Sequence, residues 1–148
     1  MERIVYISLE KAIFVHTRIL EKESGLKGVK DLGQIESILT HIQNNEYYPN
    51  FLDKITHLFF ALVKFHCFND GNKRTALALG TYFISLNFSK NLAEKFLVEM
   101  ENIVVEVAEN KIDKVLLREF ILRIMTETDG DDEWLFKLFK ALSKESQD

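Results

Sequence analysis

The sequence predicts an all-α fold, and three observations carry that reading. Apolar residues recur at helical spacing along most of the chain, proline occurs once (Pro49), and cap residues precede several apolar runs. Val5-Tyr6-Ile7 reads as a short extended lead-in, with Ser8 capping a first helix over about 9–23. Gly25 and Gly28 interrupt the pattern. Asp31-Leu32-Gly33-Gln34 fits a capping box that opens a second helix to about Gln43, with Ile35, Ile38, Leu39 and Ile42 inward. Asn44 to Asn50 forms a polar, aromatic loop.

Two strongly apolar helices follow, over about 53–66 and 72–86. Ile55, Leu58, Phe59, Leu62 and Val63 line one side of the first, and Ala76, Leu77, Leu79, Gly80, Phe83 and Leu86 one side of the second. A helix over about 91–109 carries Leu92, Phe96, Leu97, Met100, Ile103, Val104 and Val107. Asp113 caps another, through about Met125. Thr126 to Asp132 is acidic and holds the turn dipeptide Asp129-Gly130. A last helix over 133–143 puts Trp134, Leu135, Leu138, Phe139 and Leu142 on one side. The expected architecture is a bundle of about seven helices around a central antiparallel-like pair, without repeats.

A chain of 148 residues suits one domain: residues 1–125 form its body, and 126–148 add an acidic turn and an amphipathic helix packed on it. Hydrophobic residues at 47% and charged residues at 28% are an ordinary globular balance. The net charge of −4 argues against nucleic acid as a primary partner. No apolar run is long enough for a membrane span, and the start of the chain lacks a secretory signal. One cysteine cannot make an internal disulfide, which fits a reducing cytoplasm. Cys67 reads as a small packing residue.

Chemistry concentrates between the two central helices, in His66-Cys67-Phe68-Asn69-Asp70-Gly71-Asn72-Lys73-Arg74. The first N–H groups of a helix lack internal partners and attract anions. Gly71 lets the backbone approach a ligand, and the Asn72 side chain can donate hydrogen bonds. Lys73 and Arg74 put positive charge in a first turn, where the helix dipole disfavours it, so an anionic ligand gives them a reason. Asp70 would repel a bare phosphate and suggests a bridging Mg²⁺; alternatively it caps the following helix. A histidine side chain can take a proton from a hydroxyl near neutral pH, which makes His66 the base candidate. His16, His41 and His57 lack metal-ligand spacing and read as structural.

At these residues the chain resembles the Fic/Doc family, through His66, Phe68, Asp70, Gly71, Asn72, Lys73 and Arg74 and on into Thr75 and Ala76. It is most similar to the death-on-curing (Doc) branch, and Gly28 to Ser37 resembles a segment that Doc-like chains carry upstream. The likeness covers roughly residues 3–125. It implies a transferase that uses ATP and Mg²⁺ and moves part of the nucleotide onto a protein hydroxyl. In that scheme His66 is the base, Asp70 holds the metal, Gly71 and Asn72 cradle the anion, and Lys73 and Arg74 stabilise charge during transfer. Phe68 anchors the loop in the core.

Lys73 is the telling position. Fic-branch members carry glycine there and transfer AMP, whereas the Doc branch carries lysine and moves the γ-phosphate. The resemblance thus implies a toxin kinase whose target would be elongation factor Tu, restrained by a separate antitoxin. AMP transfer and a non-catalytic binding module are the alternatives. The glutamate-bearing inhibitory helix motif of many Fic enzymes is absent: Val105 to Asn110 has valine at its first position and reads as a helix end. Tyr47 and Tyr48 either lie at a target-docking flap or tuck against neighbouring helices.

Overall fold

The computed structural model describes residues 3–23, 28–126 and Lys140. Among them six helices follow in order: α1 Leu9–Glu23, α2 Leu32–His41, α3 Phe51–Lys64, α4 Asn72–Asn87, α5 Lys90–Ala108 and α6 Lys114–Thr126. The all-α expectation holds, and the described residues contain no β-strand, only an isolated antiparallel bridge between Val29 and Phe68. The expected closing helix over 133–143, with Trp134, lies outside the described residues, as does most of the 126–148 segment.

Side-chain caps set most helix starts. Ser8 Oγ accepts from the Lys11 N–H, Asp31 from Gln34, Asn50 from Asp53, Ser89 from Leu92 and Asp113 from Leu116. The Asn50 cap explains why α3 starts two residues before the predicted boundary. At Asp31 the main-chain N–H donates to the Cys67 carbonyl at 2.9 Å, a tertiary bond in the place of a capping box's return bond. The C-terminus of α5 closes on Asn110, whose φ of 64° is left-handed. The Asn110 N–H bonds the Val107 carbonyl and the Lys111 N–H bonds that of Glu106, the two bonds of a Schellman ending. Val105 to Asn110 is therefore a helix end, with Glu109 paired to Lys111 at 3.5 Å.

The core lies between α3 and α4, with α5 and α6 packed across them and α1 and α2 on the flanks. Ile55, Leu58, Phe59, Leu79 and Phe83 are fully buried, each contributing about 2 kcal/mol of apolar burial. Gly80 sets the approach of α5: a Cβ there would stand 2.9 Å from the Phe96 ring. The lead-in Val5-Tyr6-Ile7 is non-helical, and Asn87 at the end of α4 holds it by accepting from the Val5 N–H (2.8 Å) and donating to the Val5 carbonyl (2.9 Å). Leu77 is half-buried, packing against the core while also lining a cleft.

Candidate active site

Helix α3 ends at Lys64, Phe65 caps it, and His66 follows with a φ of 50°. A histidine in the left-handed region costs about 1 kcal/mol relative to the ordinary helical conformation. Such strain is kept where the surroundings impose it, often at functional positions. The next residue turns inward. Cys67 is fully buried, and burial, with the nearby Asp31 charge, pushes its thiol up to about 11. It is thus a packing residue rather than a nucleophile. Its carbonyl accepts from the N–H groups of Lys30 (2.8 Å) and Asp31 (2.9 Å), and the Asn69 N–H reaches the Gly28 carbonyl. The Gly28–Asp31 segment is therefore stitched to the motif loop.

Phe68 is buried, as its anchoring role requires, and stacks on the His16 ring from α1. Asn72 turns back onto it: Oδ1 accepts from the Phe68 N–H and Nδ2 donates to the Phe68 carbonyl, both at 3.1 Å. The Asn72 side chain thus closes the loop, and its contribution at an anion would come from the main-chain N–H. Helix α4 begins there. Its first intrahelical bond runs from the Thr75 N–H to the Gly71 carbonyl, so the N–H groups of Asn72, Lys73 and Arg74 precede it.

Gly71 occupies the cap position of α4 with a φ of 75° and supplies no side-chain cap bond. The Asp70 carboxylate accepts from the adjacent Gly71 N–H at 2.8 Å. Of the six described helices, α4 is the one whose first turn carries no side-chain cap, and it is also the one opening with Lys73 and Arg74, both exposed.

His66, Asp70, Gly71, Asn72, Lys73 and Arg74, the six residues singled out in the sequence, all line one cleft of about 1010 Å³. Its far wall comes from α4 and α5, through Leu77, Thr81, Leu97 and Val105, with Glu101 and Asn102 at the rim. The lining thus combines the polar motif residues with apolar side chains, a mixture suited to a phosphate-bearing ligand with an apolar portion. Asp70 offers one carboxylate, and no group of three metal-ligating side chains occurs among the described residues. A single carboxylate beside an anion cradle fits Mg²⁺ that arrives on nucleotide phosphates.

The sequence model of the Fic/DOC family matches residues 6–84. The chain is also 35% identical over 86 residues to the Protein kinase doc of Escherichia phage P1, spanning 55% of this chain and 68% of that protein. The chain belongs to the Fic/DOC family. No helix among the described residues is long and apolar enough to cross a membrane.

The sequence left Tyr47 and Tyr48 between a docking flap and a place against neighbouring helices; Tyr47 packs on His41, and Tyr48 on His41 and on His57 of α3. One placement was not foreseen. His16 is buried at 2% exposure and its Nε2 lies 2.8 Å from the Asp70 carbonyl oxygen. Its position in the sequence carried one signal: His16 stands four residues from both Ala12 and Leu20 on the buried stripe of α1, a polar side chain where an apolar one belongs.

Proposed function

We propose that this Fic/DOC chain is a Doc-like toxin that transfers the γ-phosphate of ATP to a hydroxyl of a protein target. The observation that carries the reading is the first turn of α4, which lacks a side-chain cap, bears Lys73 and Arg74, and opens into the cleft that holds His66. An anion at that turn would satisfy the N–H groups that precede the first intrahelical bond, meet the positive end of the helix dipole and neutralise both cations.

His66 takes the proton of the incoming hydroxyl, whose oxygen forms a bond to the γ-phosphorus as the bond to the ADP oxygen breaks. Base catalysis of this kind is worth about 10²–10⁴-fold. Lys73 and Arg74 stabilise charge on the phosphoryl oxygens. Asp70 would hold Mg²⁺, which when bound neutralises phosphate charge. Lysine rather than glycine at position 73 favours the phosphoryl group in flight over AMP. By resemblance the target is elongation factor Tu, the effect is a block of translation, and a separate antitoxin restrains it.

The test supplies ATP labelled at the α or the γ phosphate to the protein and a bacterial lysate. Label on protein from the γ position alone is the expected result. Retention from the α position would replace phosphate transfer with AMP transfer. No His66-dependent label from either position would leave a binding module.

A further inference from the structure

His16 touches no reacting group in this scheme, yet it is built into the motif loop from a helix more than fifty residues away. Its ring stacks on Phe68 with centroids 3.8 Å apart and planes 14° from parallel. Its Nε2 lies 2.8 Å from the Asp70 carbonyl oxygen. A carbonyl only accepts, so Nε2 carries the hydrogen and donates it.

The bond reaches further than one oxygen. The described residues contain no cis peptide, and in a trans peptide the C=O and N–H of one plane point in opposite directions. With the Asp70 carbonyl held toward α1, the Gly71 N–H must face away from it. There it donates to Asp70 Oδ1 at 2.8 Å. One rigid plane therefore links the imidazole to the carboxylate. Gly71 itself resists nothing, because glycine takes either sign of φ and would let the plane turn over. Leu20 backs the same side: its Cδ2 lies 3.2 Å from where a Gly71 Cβ would stand.

We propose that His16 is a positioning residue that locks the Asp70–Gly71 peptide plane and so keeps the Asp70 carboxylate oriented at the cleft. The carboxylate's task as metal–nucleotide ligand rests on the function proposed above; the lock itself does not.

Two variants separate the donor from the ring. His16→Phe keeps an aromatic ring against Phe68 and loses the donor, while His16→Gln loses the ring and retains an N–H near the Nε2 position. Hydrogen exchange of the Gly71 amide, followed by NMR, reads the plane directly. Calorimetry with Mn²⁺·ATP reads the carboxylate, and thermal melting checks the fold. Gly71 exchange should accelerate about five- to tenfold in His16→Phe, the scale of one lost hydrogen bond, and Mn²⁺·ATP affinity should fall by a similar factor. His16→Gln should restore both. Unchanged Gly71 exchange in a folded His16→Phe protein overturns the proposal, and so does a His16→Gln protein that behaves like His16→Phe. Wild-type protein that binds no Mn²⁺·ATP would sink the proposed function, while Gly71 exchange would still decide the role of His16.

Discussion

Helices α3 and α4 both carry a lysine in their first turn, in opposite surroundings. At α3, Asn50 caps the helix, and Lys54 is fully buried with its ammonium donating to the Ile42 carbonyl and to Asn45 Oδ1, each at 2.8 Å. His57 Nδ1 lies 2.8 Å from the Lys114 ammonium of α6, and Arg118 Nε reaches Asp53 at 2.7 Å. The polar groups there are matched to protein partners. At α4 the cap position is a glycine, and Lys73 and Arg74 are exposed beside a cleft. Lys54 near the start of α3 is thus enclosed by protein acceptors, whereas Lys73 at the start of α4 faces a cleft. What separates them is whether a cap and a carbonyl are built around the charge or a cleft is left open beside it.

That contrast can be broken by mutation. The largest effect falls at the cleft: His66→Ala should lower phosphate transfer by about 10²–10⁴-fold while leaving the melting temperature unchanged. A drop in stability of the same protein would mean that His66 belongs to the structural class. Lys54→Ala should do the reverse. It strands the Ile42 carbonyl and leaves a void, costing about 3 kcal/mol by denaturant unfolding with ATP affinity intact. Gly71→Ala should cost about 1 kcal/mol, since alanine resists a φ of 75°, and should weaken nucleotide binding as well. A Gly71→Ala protein with wild-type nucleotide affinity would separate the shape of the cap from its ligand.

The smallest effect concerns acid. Burial, then the Lys114 and His41 charges, holds the His57 imidazole down to about 4. The unfolded chain, with an ordinary histidine near 6.5, binds the proton more readily between these values. Stability from this group is therefore complete above about pH 6.5 and lost as the pH falls toward 4. His57→Gln should flatten that part of the melting-temperature profile. An unchanged slope would place the acid sensitivity elsewhere.

The sequence announced the helices well, because Ser8, Asp31 and Asp113 are caps whose chemistry is local. It announced the cleft residues for the same reason: His66 to Arg74 are contiguous. What it withheld was contact across the chain. The tertiary bond at the Asp31 N–H, the return of the Asn72 side chain onto Phe68, the Tyr48–His57–Lys114 cluster and the seat of His16 all pair residues from different elements or turns. Periodicity is blind to such partners. Asp70 shows the same limit: its residue type allows both a cap and a metal ligand, and that Gly71 takes the cap position of α4 in a left-handed turn is not legible from residue type.

The buried thiol of Cys67 has one more consequence. It is the sole sulfhydryl in the chain and sits at the knot where the Gly28–Asp31 segment hangs from the motif loop. A reagent can meet it only when that knot comes undone. The rate at which a thiol dye colours the native protein therefore clocks how often the loop opens, and a ligand seated on α4 should slow that clock.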